Sequence, residues 1–164
     1  MENQAQKTRG GYTLVETLFY IALFLVLVLA VINSIITMTR SFKEATVQTD
    51  FLQSGAIIDR ISREIRQAYG INTISGTSLK LNTTDDLGNN KTVQFSLSGS
   101  NIQLFEDDIL TGNLNTPNIE VTAVSFTQII TPPGMAIKIS LSVKSTRDVA
   151  DRTENFYDTI VIRG

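Results

Sequence analysis

From Thr17 to Thr39, 23 consecutive residues carry no charge. Leu18, Phe19, Ile21, Leu23, Phe24, Leu25, Val26, Leu27, Val28, Leu29, Val31, Ile32, Ile35 and Ile36 make the run almost wholly apolar. As a helix it would span ~35 Å, enough to cross a hydrocarbon core of ~30 Å. A cleavable secretory signal has an apolar core of only about 7–15 residues, ending in a small-x-small site. Here the run is longer, and Asn33-Ser34 and Thr37-Met38-Thr39-Arg40 offer no such site. Upstream of Glu16, Lys7 and Arg9 have Glu2 as the sole acid, whereas Arg40 and Lys43 beyond the run are followed by Glu44 and Asp50. The positive-inside rule then leans toward a single-pass protein with a cytoplasmic N-terminus and an exported remainder, a lean that Arg40 and Lys43 weaken and that charge alone leaves open. Glu16 stands at the mouth of this run. A carboxylate carried to a bilayer centre costs roughly 2.5–3.5 kcal/mol, so an acid at this place is expected to have a task.

The 164 residues suffice for one domain plus an attachment. A net charge of −2 argues against a general phosphate-binding surface. The chain has no Cys, His or Trp, which removes thiol nucleophiles, disulfides, the commonest metal ligand and histidine acid–base chemistry.

The helical pattern continues past the apolar run. Between Arg40 and Tyr69 there is no Pro and one Gly, Gly55. Val47, Phe51, Ser54, Ile58, Ile61, Ile65 and Ala68 are spaced alternately four and three apart, one continuous stripe. Lys43, Glu44, Asp50, Asp59, Arg63, Arg66 and Gln67 are assigned to the opposite side, with Asp59–Arg63 and Arg60–Glu64 at ion-pairing spacing. Gly70 is read as a C-terminal cap. Unbroken from Tyr12 to Tyr69, such a helix would run 58 residues, or ~87 Å.

Beyond Gly70 the period becomes two. Leu79 and Leu81, then Val93, Phe95 and Leu97, then Ile102 and Leu104 alternate with polar neighbours, and Ser98-Gly99-Ser100-Asn101 reads as a hairpin turn. Glu120 to Ile130 joins through Thr131-Pro132-Pro133-Gly134 to a strand whose Ile137, Ile139, Leu141 and Val143 face one way and Lys138, Ser140, Ser142 and Lys144 the other. A last strand is predicted over Thr159–Arg163. The expected class is α+β: a long N-terminal helix whose amphipathic half covers one face of an antiparallel sheet.

With these elements in view, "GYTLVETLFYIALF" resembles the N-terminal signature of type IV prepilins and pseudopilins. That signature is a basic leader ending in Gly, then a short apolar stretch, then Glu and a transmembrane helix. Lys7 and Arg9 match the basic leader, Gly11 the residue before the scissile bond, Tyr12 the first mature residue, Thr13 to Val15 the next three, and Glu16 the fifth. Tyr12 stands where Phe or Met is commoner and keeps the aromatic character. The resemblance implies a pilin-like fold divided into a leader (residues 1–11), a transmembrane half-helix (12–39), an amphipathic half-helix (40–69) and an extracytoplasmic β-rich domain (70–164). It implies that a prepilin peptidase cuts between Gly11 and Tyr12 and N-methylates Tyr12. The leader carries two bases and one acid, so the mature side-chain charge becomes −3. It further implies that Glu16 pairs with the N-terminal amine of a neighbouring pilin or pseudopilin in a filament fed by an inner-membrane assembly platform.

Major pilins usually carry a helix-breaking Pro mid-helix. This chain has Asn33 there and no Pro before Pro117, which is similar to minor components, above all J-type minor pseudopilins of type II secretion. The late "TIVIRG" strand is similar to the end of such chains. Minor pilins and competence pseudopilins share these traits, so the receiving machine stays open. The rival expectation is a membrane-tethered β-domain that binds a ligand, surface or DNA without polymerising.

Other acidic clusters are weighed against blander roles. Thr83 to Asn90, including Asp85 and Asp86, is oxygen-rich but lacks the spacing of a calcium loop, with Ser96 rather than Glu at the twelfth place, and reads as a solvated turn. Glu106-Asp107-Asp108 reads as a charged turn. No nucleophile–base arrangement surrounds these acids, and no basic, aromatic-interleaved patch marks a nucleic-acid surface. No catalytic residue, metal site or cofactor is expected.

Overall fold

The computed structural model describes residues 10–85, 87–131 and 134–162, with side chains described from Thr13 onward, Thr131 excepted. It contains helix α1 (Gly10–Gln67) followed by eight strands: β1 (Gly70–Ile74), β2 (Ser78–Thr84), β3 (Asn90–Ser98), β4 (Asn101–Glu106), β5 (Ile109–Asn113), β6 (Ile119–Thr131), β7 (Gly134–Ser145) and β8 (Thr153–Ile162). The α+β class expected from the sequence is the class observed. The chain divides into two compact units at Phe42/Lys43.

The first unit is the apolar part of α1. Its hydroxyls are satisfied within the helix: Thr17, Ser34, Thr37 and Thr39 each donate to the carbonyl four residues earlier, at 2.7–2.9 Å. This back-bonding lets polar side chains sit in an apolar helix without an orphaned donor.

The second unit packs residues 43–67 of α1 against two antiparallel sheets, β1-β2-β3-β4-β5 and β6-β7-β8. The four-three stripe is the face that packs: Val47, Ser54, Ile58, Ile61, Ile65 and Ala68 are buried and Phe51 is half-buried. The buried arc widens toward its C-terminal end to include Ile57, Ser62 and Glu64, and side chains from both sheets join one core with it. Leu79, Leu81, Phe95, Ile102, Ile137, Ile139, Leu141 and Val143 supply the sheet side of that core. Each fully buried aliphatic of this kind is worth about 1.5–3 kcal/mol of transfer free energy.

Five sequence expectations need correction. The helix ends at Gln67 rather than Tyr69. Gly70 is no cap: it opens β1, it is not among the residues with positive φ, and Tyr69 N–H already donates to Asn82 O at 3.0 Å. Sheet pairing, not a glycine turn, stops the helix. Asp50 belongs to the buried arc, at 2% exposure, rather than to the solvent side. The β region forms two sheets rather than one. The last strand starts six residues before Thr159, at Thr153, because pairing with β7 carries it from Lys144↔Thr153 to Met135↔Ile162.

The hairpin turns follow their local chemistry. Between β3 and β4, Gly99 has φ +60° and Ser100 does not turn positive, the pattern of a II′ turn. Between β4 and β5, Asp107 (φ 50°) and Asp108 (φ 65°) are both left-handed, as a I′ turn requires. Their carboxylates tie the turn down: Asp107 Oδ1 accepts from Thr92 N–H at 2.8 Å, and Lys80 Nζ meets Asp108 Oδ1 at 2.7 Å. The free side of β6 is capped where Phe126 N–H donates to Gly76 O and Val121 N–H to Ser100 O. Buried Asn115 adds to this seam, donating to Ile119 O and Ser100 O while accepting from Ile102 N–H.

Candidate functional site

The residue singled out first, Glu16, lies in the exposed part of α1. Four residues on, one turn along the same face, Tyr20 donates its phenol O–H to Glu16 Oε1 at 3.1 Å. Around this pair the large apolar side chains from Leu14 to Phe42 stand 45–68% exposed, with Val28 alone half-buried. Contiguous exposed apolar surfaces of this size mark sites of interaction with other proteins or with a membrane. Among the described residues, one helix is long and apolar enough to cross a membrane.

Of the other expected site residues, Lys7 and Arg9 lie outside the described residues. Gly11 and Tyr12 fall in the first turn of α1, with their side chains outside the described residues. Of the Thr83–Asn90 segment expected to be a solvated turn, Thr83 (buried) and Thr84 end β2 and Asn90 opens β3, so the turn is confined to residues 85–89, with Asp86 outside the described residues. Asp85 accepts there from Asn89 Nδ2 and from the N–H groups of Leu87 and Asn89, and these bonds, the Asn89 side chain first, hold its carboxyl below the usual range. Its oxygens serve the loop itself. Pro132 and Pro133 lie outside the described residues, and so does Arg163.

Sequence reasoning missed the polar ties that fasten α1 to the sheets of the second unit. Asp50 Oδ2 accepts from Ser145 Oγ at 2.6 Å, and the Arg147 guanidinium stands 3.8 Å from Asp50 Oδ1. Ser62 Oγ donates to Asp158 Oδ2 at 2.6 Å, and Asp158 Oδ1 accepts from Thr159 N–H on β8. Arg152 is forked between two carboxylates: it reaches both oxygens of Glu44 at 2.8 and 2.9 Å, and Asp148 Oδ2 at 2.8 Å through Nε. Hydrogen bonding to Arg152 holds the Asp148 carboxyl at about 2 and lowers that of Glu44, while the guanidinium itself is pushed up. Of the two ion pairs expected along the helix, Arg60–Glu64 forms at 3.0 Å. Among the described residues, three or more His, Cys, Asp or Glu side chains nowhere converge as a metal site would require.

Two features thus stand apart: an uncovered apolar helix bearing one hydrogen-bonded acid, and a β unit anchored to the amphipathic half of α1. Comparison with protein-family models, with curated proteins and with solved structures finds no match to this chain.

Proposed function

We propose that this chain is a minor pseudopilin or minor pilin subunit, a structural assembly protein and not an enzyme. A prepilin peptidase cuts it between Gly11 and Tyr12 and methylates the new amine, residues 12–39 anchor it in the cytoplasmic membrane, and the β unit lies outside. Its helix then packs among those of other subunits in a type II secretion pseudopilus or a related filament. The observation that carries this reading is the coincidence of the "GYTLVE" signature with an exposed apolar part of α1, residues 13–42, whose only acid is Glu16. Burying an amine or a carboxylate alone is costly, and a close pair in low dielectric recovers much of the loss. Pairing Glu16 with a neighbour's N-terminal amine would therefore set axial register between subunits.

The test is the N-terminus of the mature protein. Sequencing and intact mass are expected to give a chain beginning at N-methyl-Tyr12, dependent on the peptidase. An intact Met1 would defeat the reading and favour a plain signal-anchored β-domain.

A further inference from the structure

Tyr20 is the one side chain among the described residues that donates to Glu16. The geometry has a simple cause. Helical side chains lean toward the N-terminus, so a long residue at i+4 lies over the residue one turn before it. Tyr20 is long enough to bring its hydroxyl to the Glu16 carboxylate, and its ring is itself 59% exposed along the apolar run. The bond occupies Oε1 and leaves Oε2 without an intrachain partner among the described residues.

We propose that Tyr20 is a positioning residue for Glu16: by holding Oε1 it fixes the carboxylate's rotamer and leaves Oε2 as a single open acceptor for an ammonium group of a second subunit. The inference rests on the assembly reading above and deepens it. It makes two chemical statements. First, inside an apolar layer the phenol supplies the hydrogen bond that water would otherwise give, so the acid crosses into the bilayer partly satisfied. Second, the site is selective. A guanidinium binds carboxylate best as a fork on both oxygens, and here it would have to displace the phenol, whereas an ammonium is a compact point donor that needs only one. The chemistry recognised is thus an amine at a chain terminus or a lysine, rather than an arginine.

The experiment is a double-mutant cycle on the full chain in its host cell, comparing wild type, Glu16→Val, Tyr20→Phe and the pair. Filament incorporation is measured per molecule of inserted, leader-cleaved chain, so that any change in insertion is divided out. Tyr20→Phe removes only the hydroxyl. It is expected to lower incorporation about tenfold, as loss of a hydrogen bond to a charged group would. In the Glu16→Val background the same substitution is expected to change nothing further. Tyr20→Phe incorporating like wild type while Glu16→Val fails would overturn the role of Tyr20 and leave the assembly reading standing. An additive loss in the double variant would overturn it too, because Tyr20 would then act independently of Glu16. Normal incorporation of Glu16→Val would overturn both.

Discussion

Asp50, on the buried arc of α1, accepts a 2.6 Å hydrogen bond from Ser145 at the last residue of β7. The two residues are 95 positions apart, and both are buried. Removing one partner of such a pair costs more than removing both, because a buried carboxylate loses its donor. Ser145→Ala is expected to destabilise the detergent-solubilised chain by about 2 kcal/mol. Asp50→Leu combined with Ser145→Ala should cost less than Ser145→Ala alone, as read by chemical denaturation.

The Arg152 fork gives the β unit a pH dependence. Glu44 and Asp148 have folded-state values below their ordinary 4.5 and 3.8, with Asp148 at about 2. A lowered carboxyl stabilises the fold above its unfolded value and loses that contribution as pH falls through its folded value. The melting temperature should therefore drop as pH is taken from about 5 toward 2. Arg152→Gln should flatten that drop, and added salt should weaken it, since the group is at the surface.

Ile61 is fully buried in the shared core, whereas Leu52, on the same helix, is 79% exposed. Ile61→Ala is expected to cost about 2–5 kcal/mol, and Leu52→Ala about 0.5 kcal/mol or less. Thermal unfolding of the two variants side by side separates them.

Two glycines should respond oppositely to a side chain. Gly99 sits at φ +60° in the β3–β4 turn, a conformation that costs a β-branched residue about 1–2 kcal/mol, so Gly99→Val should lower the melting temperature. Gly70 has open space around its Cβ direction and no positive φ, and Gly70→Ala should be neutral or slightly stabilising.

For the proposed assembly role, Glu16→Ala is expected to insert in the membrane and to be cleaved after Gly11, yet to enter filaments poorly. Cleavage mapped by mass and incorporation scored in sheared filament fractions give the two halves of that result.

Much of this architecture was readable from periodicity. The stripe from Val47 to Ala68 and the alternation of Ile137 to Val143 each name the face that is buried, because one side of each element meets the core. β1 and β5 were not readable. Their half-buried and exposed residues do not alternate, and they exist as strands through pairing with β2 and β4, each with a break in register. The Arg152 fork joins residues 108 positions apart and leaves no local trace. Asp50 and Tyr20 did leave one. Asp50 falls three after Val47 and four before Ser54, inside the apolar arc, and Tyr20 falls four after Glu16. Helical spacing sets Asp50 within the apolar arc and Tyr20 one turn from Glu16.

Every strand pairing in the two sheets joins neighbours in the chain: β1 to β2, β2 to β3, and on to β7 with β8, with no crossover within either sheet. Closing such hairpins takes short loops and little chain entropy. A chain made N-terminus first can therefore zip these strands in the order they appear. The shared core against α1 is completed by Ile160 and Ile162 of β8. Before β8 pairs, the apolar stripe of the helix already has Leu79, Phe95, Ile102 and Ile139 to pack against, so the ten-residue last strand finishes a core that the earlier hairpins begin.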